Sequence, residues 1–325
     1  MIRLRFGPGT LERVRFAISP LMETTGSLRA LRDPDAQALH LNWIREARER
    51  TADLDLAPLM ALLPDDRYTP DFITPPPQGP LAGIDDELST VAATPPTVVR
   101  AEIERAYRHC PIPAALQPLL DEPGSAIPAL AELARAYFDR ALAPHWPRIR
   151  AVVEGDVLHR ARRLADGGAL HGFADIDPSV RWSDGVLEID KRAEQDVDLA
   201  ERGLLFVPSV FTWPRVVIVT APPWQPTIIY PARGAGALWE PSGGAASGAL
   251  GALLGRNRAA LLLALDRPRS TTDLAALAGI TPGGVSQHLA VLRSAGLVHA
   301  HRVGRAVLNL RSAAGDALVV AARQQ

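Results

Sequence analysis

Residues 250–310 read LGALLGRNRAALLLALDRPRSTTDLAALAGITPGGVSQHLAVLRSAGLVHAHRVGRAVLNL, and the junctions inside this run decide the fold. Thr272, Leu274, Ala275 and Leu277 fall at helical spacing. Gly279 follows, the residue that turns left-handed past a helix end at little cost. Ile280 is placed to plug the space between two helices, and Thr281-Pro282 offers an N-cap and a first-turn proline for the next one. That helix, 282–294, puts Val285, Leu289 and Leu292 on one face and Gly283, Gly284, Ser286, Gln287 and Ala290 on or near the other. Two short helices joined by a brief turn holding a glycine make a helix-turn-helix.

After Gly296, Val298 and Ala300 alternate with His299 and His301, and Val307 with its flanking leucines marks a return strand. The turn between them carries Arg302 and Arg305, so the pattern predicts a hairpin with a basic tip. A helix-turn-helix followed by such a wing suits double-stranded DNA. The first residues of the second helix would meet base edges in the major groove. Gln287 can pair with an adenine edge and Ser286 with a base or a phosphate. The candidate contact set is Thr281, Gly283, Gly284, Ser286, Gln287, His288, Arg293, Arg302 and Arg305.

The segment resembles the DNA-binding domain of ArsR/SmtB-type regulators, through S-x-H-L-x-x-L-x-x-A-G-L-V at Ser286, His288, Leu289, Leu292, Gly296, Leu297 and Val298, with Arg293 among the matching residues. The resemblance covers about the last quarter of the chain. It implies a homodimer on a palindromic operator, acting as a repressor released by a signal. Metal-sensing members carry Cys-x-Cys where this chain has Asp273, Leu274 and Ala275, or His and acidic ligands on a last helix that here reads SAAGDALVVAARQQ. Neither position offers the thiolate or imidazole cluster a soft metal needs. The expected signal is therefore not a metal, and no cofactor is expected.

The 325 residues are 47% hydrophobic, enough for two domains or more. No run approaches the ~20 apolar residues of a membrane span, and the start has no signal-peptide pattern. A single cysteine, Cys110, suits a reducing compartment, so a cytoplasmic protein without membrane contact is expected. The net charge of −1 hides an asymmetry. Residues 249–325 hold nine arginines against three aspartates, a net of +6, which leaves −7 on the rest. Phosphate-binding potential thus lies where the motif lies.

Earlier in the chain, residues 3–18 suggest a strand or two. Ser19-Pro20 starts a helix, with Glu23 able to close back on its first turn. Asp33-Pro34 restarts a second helix. Residues 51–90 read as irregular, with Pro75, Pro76 and Pro77 forming a rigid crossing segment. Helical patterns return at 96–109, 127–143 and 148–166. Strands are expected on either side of Asp184-Gly185 and at 203–207, 216–220 and 227–230, in a small, largely antiparallel sheet. The fold class is α+β. A mixed body spans 1–235, for effector binding or oligomerisation, as one subdomain or two. A linker follows at 236–248, with Trp239 docked on one of the domains, and the winged helix-turn-helix spans 249–325. Its opening helix, 248–265, is expected to bring Leu250, Leu253, Leu254, Leu261 and Leu265 to a dimer seam with 317–321. The runs at 16–34, 68–77, 202–211 and 222–234 resemble an uncharacterised domain found ahead of ArsR-type winged helices in actinobacterial proteins. No activity comes with that resemblance.

The body shows no nucleophile elbow, P-loop, G-x-G-x-x-G or H-E-x-x-H, so no catalytic residue is assigned. His145, His159 and His171 are candidates to meet Asp175 or Asp177 only in space. Late-chain aromatics suggest either a core or a pocket for a small organic effector. The pocket candidates are Trp182, Trp213, Trp224 and Tyr230, with Arg181 and Arg215 for an anionic group. Two other readings stay open at this stage. One is an enzyme whose winged helix serves autoregulation or dimer formation, and the other is a module that binds protein.

Overall fold

The computed structural model describes the chain apart from residues 35–36, 65–67, 174, 192, 213–214, 240–244, 279, 304–305 and 324–325, and apart from the side chains of 38, 170, 237, 245–249, 276, 302–303, 306 and 323. Candidates Trp213 and Arg305, the turn residue Gly279 and the Arg302 side chain lie outside the described residues. The chain divides into two units, Met1–Trp239 and Glu240–Gln325. Helices and sheets are mixed in both, an α+β class.

The first unit opens with β1 (Ile2–Arg5) and β2 (Val14–Phe16). Helices α1 (Pro20–Arg32), α2 (Leu41–Arg50), α3 (Ala57–Ala61), α4 (Ile84–Ala92), α5 (Pro96–Ala106), α6 (Gln117–Asp121), α7 (Pro123–Ala141) and α8 (Trp146–Phe173) follow. Strands β3 (Val180–Ser183), β4 (Val186–Ile189), β5 (Gln195–Asp198), β6 (Leu204–Ser209), β7 (Val217–Val219) and β8 (Thr227–Pro231) complete it. The second unit contains α9 (Ala245–Leu254), α10 (Arg256–Ala264), β9 (Arg269–Ser270), α11 (Thr271–Ala278), α12 (Pro282–Ser294), β10 (Val298–Val303), β11 (Ala306–Arg311) and α13 (Ala313–Arg323).

Ser19 caps α1 as its sequence position predicts, its hydroxyl accepting from the Met22 N–H at 3.0 Å. Glu23 does not close back on that turn. It is buried and accepts from the Ser209 hydroxyl at 2.9 Å and the Val210 N–H at 2.8 Å, which ties α1 to the chain leaving β6. The stretch expected to be irregular contains α4, whose Ile84, Leu88 and Val91 enter the helical core. Its proline-rich approach masks the helical period, while Pro75, Pro76 and Pro77 lie buried outside regular structure.

The expected single antiparallel sheet is two sheets. One has the order β3-β4-β1-β5, with β1 antiparallel to β4 and parallel to β5. The other has the order β2-β6-β8-β7, with parallel β2/β6 and β6/β8 pairs and an antiparallel β7/β8 edge. The reason is visible in β6. Leu204 and Phe206 join the core shared with the first sheet, while Leu205 and Val207 face Ala17 and Met22 on the opposite side. A strand buried on both faces reads as a continuous apolar run, which is the signature of parallel pairing. The helix expected at 148–166 ends where the backbone breaks, at Gly167 and Gly168, the latter with φ +65°.

The connection is expected at 236–248. Leu238 is buried and Trp239 packs on the first unit's helical core, while α9 already begins at Ala245. The opening helix of the second unit, expected whole over 248–265, is two helices split at Gly255, which takes φ +83°. Leu250, Leu261 and Leu265 are therefore core residues of the second unit and not a dimer seam.

Candidate nucleic-acid interface

Helices α11 and α12 are each fixed at both ends by local chemistry. Ser270 and Asp273 form a reciprocal cap at the start of α11. The Ser270 hydroxyl donates to the Asp273 carboxylate at 2.7 Å and accepts from the Asp273 N–H at 3.1 Å. These hydrogen bonds hold the Asp273 carboxyl below its ordinary range. Ile280 packs on the core between α11 and α12, with its N–H bonded to the Ala275 carbonyl at 3.3 Å. Thr281 then caps α12, its hydroxyl accepting from the Gly284 N–H at 3.2 Å.

The far end of α12 closes in a Schellman motif. Gly296 sits at φ +70°, its N–H reaching the Arg293 carbonyl at 2.9 Å, and the Leu297 N–H reaches the Leu292 carbonyl at 2.9 Å. Leu297 and Leu292 also meet in the core. Val285, Leu289 and Leu292 anchor the inner face, so the rotation of α12 is set by packing.

That rotation exposes Thr281, Gly283, Ser286, Gln287 and Arg293 and leaves Gly284 and His288 half-buried. The Ser286 hydroxyl donates to the Pro282 carbonyl at 3.0 Å, which leaves its lone pairs free as acceptors. A Cβ placed on Gly283 would meet no atom within 4 Å beyond its chain neighbours and the backbone of its own helix. Between Asp273 and Asp316 the sequence has no acidic residue, so α12, β10 and β11 carry no carboxylate.

The hairpin pairs Val298 with Arg311 through Val303 with Ala306, antiparallel, and gains β9 as a third strand through Leu308–Ser270 and Asn309–Arg269. That third strand was not legible as a pattern, being two residues long. His299 and His301 point to the exposed side of β10, a polar pair absent from the candidate set. Ser312 joins wing to last helix, its hydroxyl donating to the Gly296 carbonyl at 2.6 Å and accepting from the Gly315 N–H at 3.0 Å.

The described members of the candidate effector set in the first unit lie in different surroundings. Trp182 lies half-buried, edge-on to Phe6 at 4.8 Å and to Phe173 at 5.5 Å. Tyr230 is fully buried in the same core and donates to Asp156 at 2.6 Å. Trp224 packs elsewhere, on the helical core, and donates its indole N–H to Glu102 at 2.7 Å. Arg181 and Arg215 are exposed, and Arg181 stands opposite Glu188 in the β3/β4 register. The spatial meeting of histidine and aspartate is realised at His159, beside Asp175 and Asp156, but two arginines of the same cluster, Arg160 and Arg233, share it. Burial first, and then those guanidinium groups, hold the His159 imidazole below its ordinary range.

Among the described residues no helix is long and apolar enough to cross a membrane. Residues 91–236 match a family of unknown function (DUF5937), and residues 253–300 match a helix-turn-helix domain. No curated protein and no solved structure matches the chain. The second match runs from the end of α9 through α10, α11 and α12 into β10, the elements whose caps and packing are described above. The 253–300 segment is a helix-turn-helix domain, and it supports a DNA-binding regulator of transcription.

Proposed function

We propose that the chain is an ArsR-like repressor that binds its operator as a homodimer and responds to a non-metal signal through the first unit. The observation that carries this reading is α12 itself. Its apolar face is locked in the core, and its other face presents Ser286, Gln287 and Arg293 with no carboxylate nearby in sequence. Two such helices would enter successive major grooves ~34 Å apart. Arg293, Arg302 and Arg305 would neutralise phosphates while Ser286 and Gln287 meet base edges.

The dimer reading is supported by the outer surface of α9 and α13. Leu253 is 68% exposed and Val320 53% exposed, with Ala317 and Ala321 exposed beside them. An apolar strip on paired helices suits burial against its own copy across a two-fold axis. In this reading the first unit is regulatory and not an enzyme, and the protein works in the cytoplasm.

The test is fluorescence anisotropy with the full chain and its own upstream DNA, over a range of salt and against unrelated competitor. Competitor-resistant binding with a steep salt slope is expected, together with sedimentation as a dimer. The Arg302→Ala/Arg305→Ala variant should bind more weakly with a flatter slope. Binding abolished by competitor for upstream and pooled genomic fragments alike would overturn the reading.

A further inference from the structure

We propose that the cleft between Tyr68 and the carboxyl end of α5 binds a small organic anion, held by the guanidinium groups of Arg105 and Arg108 and the imidazole of His109. The proposal rests on the regulator reading only in making this ligand the signal; the site itself stands on its geometry. The cleft encloses about 310 Å³ and is lined by Tyr68, Arg105, Ala106, Arg108 and His109. That is the lower end of the size range of metabolite sites.

Arg105 lies in the last turn of α5 and Arg108 and His109 in the turn that follows the helix, and all three line the cleft. Among the described residues Arg108 and His109 meet no carboxylate. Arg105 is already oriented, with its guanidinium carbon 3.9 Å from the centroid of the Tyr68 ring. Stacking of this kind fixes the plane of the fork while leaving its outer N–H groups to donate.

Acids beneath the cleft do not turn it into a cation site. Glu102 accepts from the Phe72 N–H and the Trp224 indole N–H, both at 2.7 Å, and Asp71 accepts from the Tyr68 hydroxyl at 2.7 Å. Both carboxyl groups are buried, at 8% and 6% exposure. Burial pushes Asp71 up to about 7, so it opposes an anion with only part of a charge at neutral pH. Two guanidinium groups line the cleft and the acids below them are engaged.

A polyanion is the poorer fit. Residues 1–248 carry a net −7, which repels an extended phosphate backbone, whereas a compact anion meets mainly the charges within about 10 Å. A carboxylate and a phosphate both match the guanidinium fork, and the test separates them.

The experiment is isothermal titration of the full chain with inorganic phosphate, citrate and benzoate, each at fixed ionic strength, repeated with Arg105→Gln/Arg108→Gln. Saturable one-site binding of at least one probe, weakened about tenfold or more in the variant, is the expected result. The probe that saturates identifies the head group. No saturable binding of any probe, or equal binding by the variant, overturns the proposal. If the double variant unfolds, Arg108→Gln alone, at an exposed position, carries the same comparison. DNA anisotropy of the same preparations keeps the two readings apart, because loss of operator binding would sink the regulator and leave the titration standing.

Discussion

Trp239 donates its indole N–H to Nδ1 of His40 at 2.6 Å, across 199 residues of sequence. This fastens the last residue of the first unit to its helical core, where His40 is fully buried against Phe211 at 4.6 Å between ring centroids. Burial holds the His40 imidazole down to about 4, so the ring is neutral and Nδ1 keeps the lone pair that accepts from Trp239. Replacing His40 with Ala would leave a part-buried donor without this partner and a void against two aromatic rings. The expected cost is ~2–4 kcal/mol in the unfolding of the first unit. Urea denaturation followed by tryptophan fluorescence checks it, and an unchanged midpoint would show that the Trp239 contact stabilises nothing.

Glu23 gives the first unit a pH dependence of definite sign. Burial, partly offset by the Val210, Ser209 and Phe211 donors, raises its carboxyl to about 7. Glu87 is raised to about 7 in the same way. A carboxyl with a folded pKa above its unfolded one takes up a proton on folding, so stability is greatest below the unfolded value and falls as pH rises toward 7. His40, held down to about 4, works the other way below pH 6.5, which makes the difference between variants the cleaner measure. Glu23→Gln keeps an acceptor oxygen without the charge. Its melting temperature relative to wild type should climb between pH 5 and pH 7.5, and a constant difference across that range would contradict the assignment to Glu23.

The helix-turn-helix was legible because each junction is specified locally. Thr281-Pro282 and Gly296 fix where α12 starts and stops within a few bonds of themselves. Gly255 was legible as a glycine but not as a break, since the leucines on both sides keep a helical period through it. The two-sheet body was not legible, because β1 pairs with β4 and β5 nearly the whole unit away and no local pattern encodes that partner. The late aromatics suited a core or a pocket, and Tyr230 and Trp224 spend their polar atoms inside the unit, on Asp156 and Glu102. For the α5 cleft the sequence signal was present as basic residues at 105, 108 and 109, but its second wall, Tyr68, comes from a segment with no helical period of its own.

Gly315 fixes how closely α13 approaches the wing. A Cβ there would lie 2.3 Å from the Leu297 carbonyl oxygen, and backbone cannot move aside as a side chain can. Gly315→Ala should therefore destabilise the second unit by ~1–3 kcal/mol, despite alanine's better helix propensity. Because α13 supplies half of the apolar strip proposed for the dimer, the variant should also dissociate at higher protein concentration. Thermal melts and sedimentation over a dilution series measure the two effects, and a more stable variant would refute the close-approach argument.

Gly283 presents the opposite case. It is exposed near the start of α12, its φ is not positive, and nothing beyond its chain neighbours and its own helix backbone lies within 4 Å of an added Cβ. Nothing within the described residues requires glycine there, and alanine is favoured in a helix by up to ~1 kcal/mol. A residue that the fold does not need, on the face proposed to meet DNA, would be accounted for by a close approach from outside the chain. Gly283→Ala should hold or raise the melting temperature while lowering operator affinity about tenfold, the scale of one good base contact. The slope of affinity against salt should not change, since no charge is added or removed. Anisotropy titrations at several salt concentrations separate the two quantities. Unchanged affinity would place the DNA elsewhere on the unit, and a changed slope would mean that α12 had shifted its phosphate contacts.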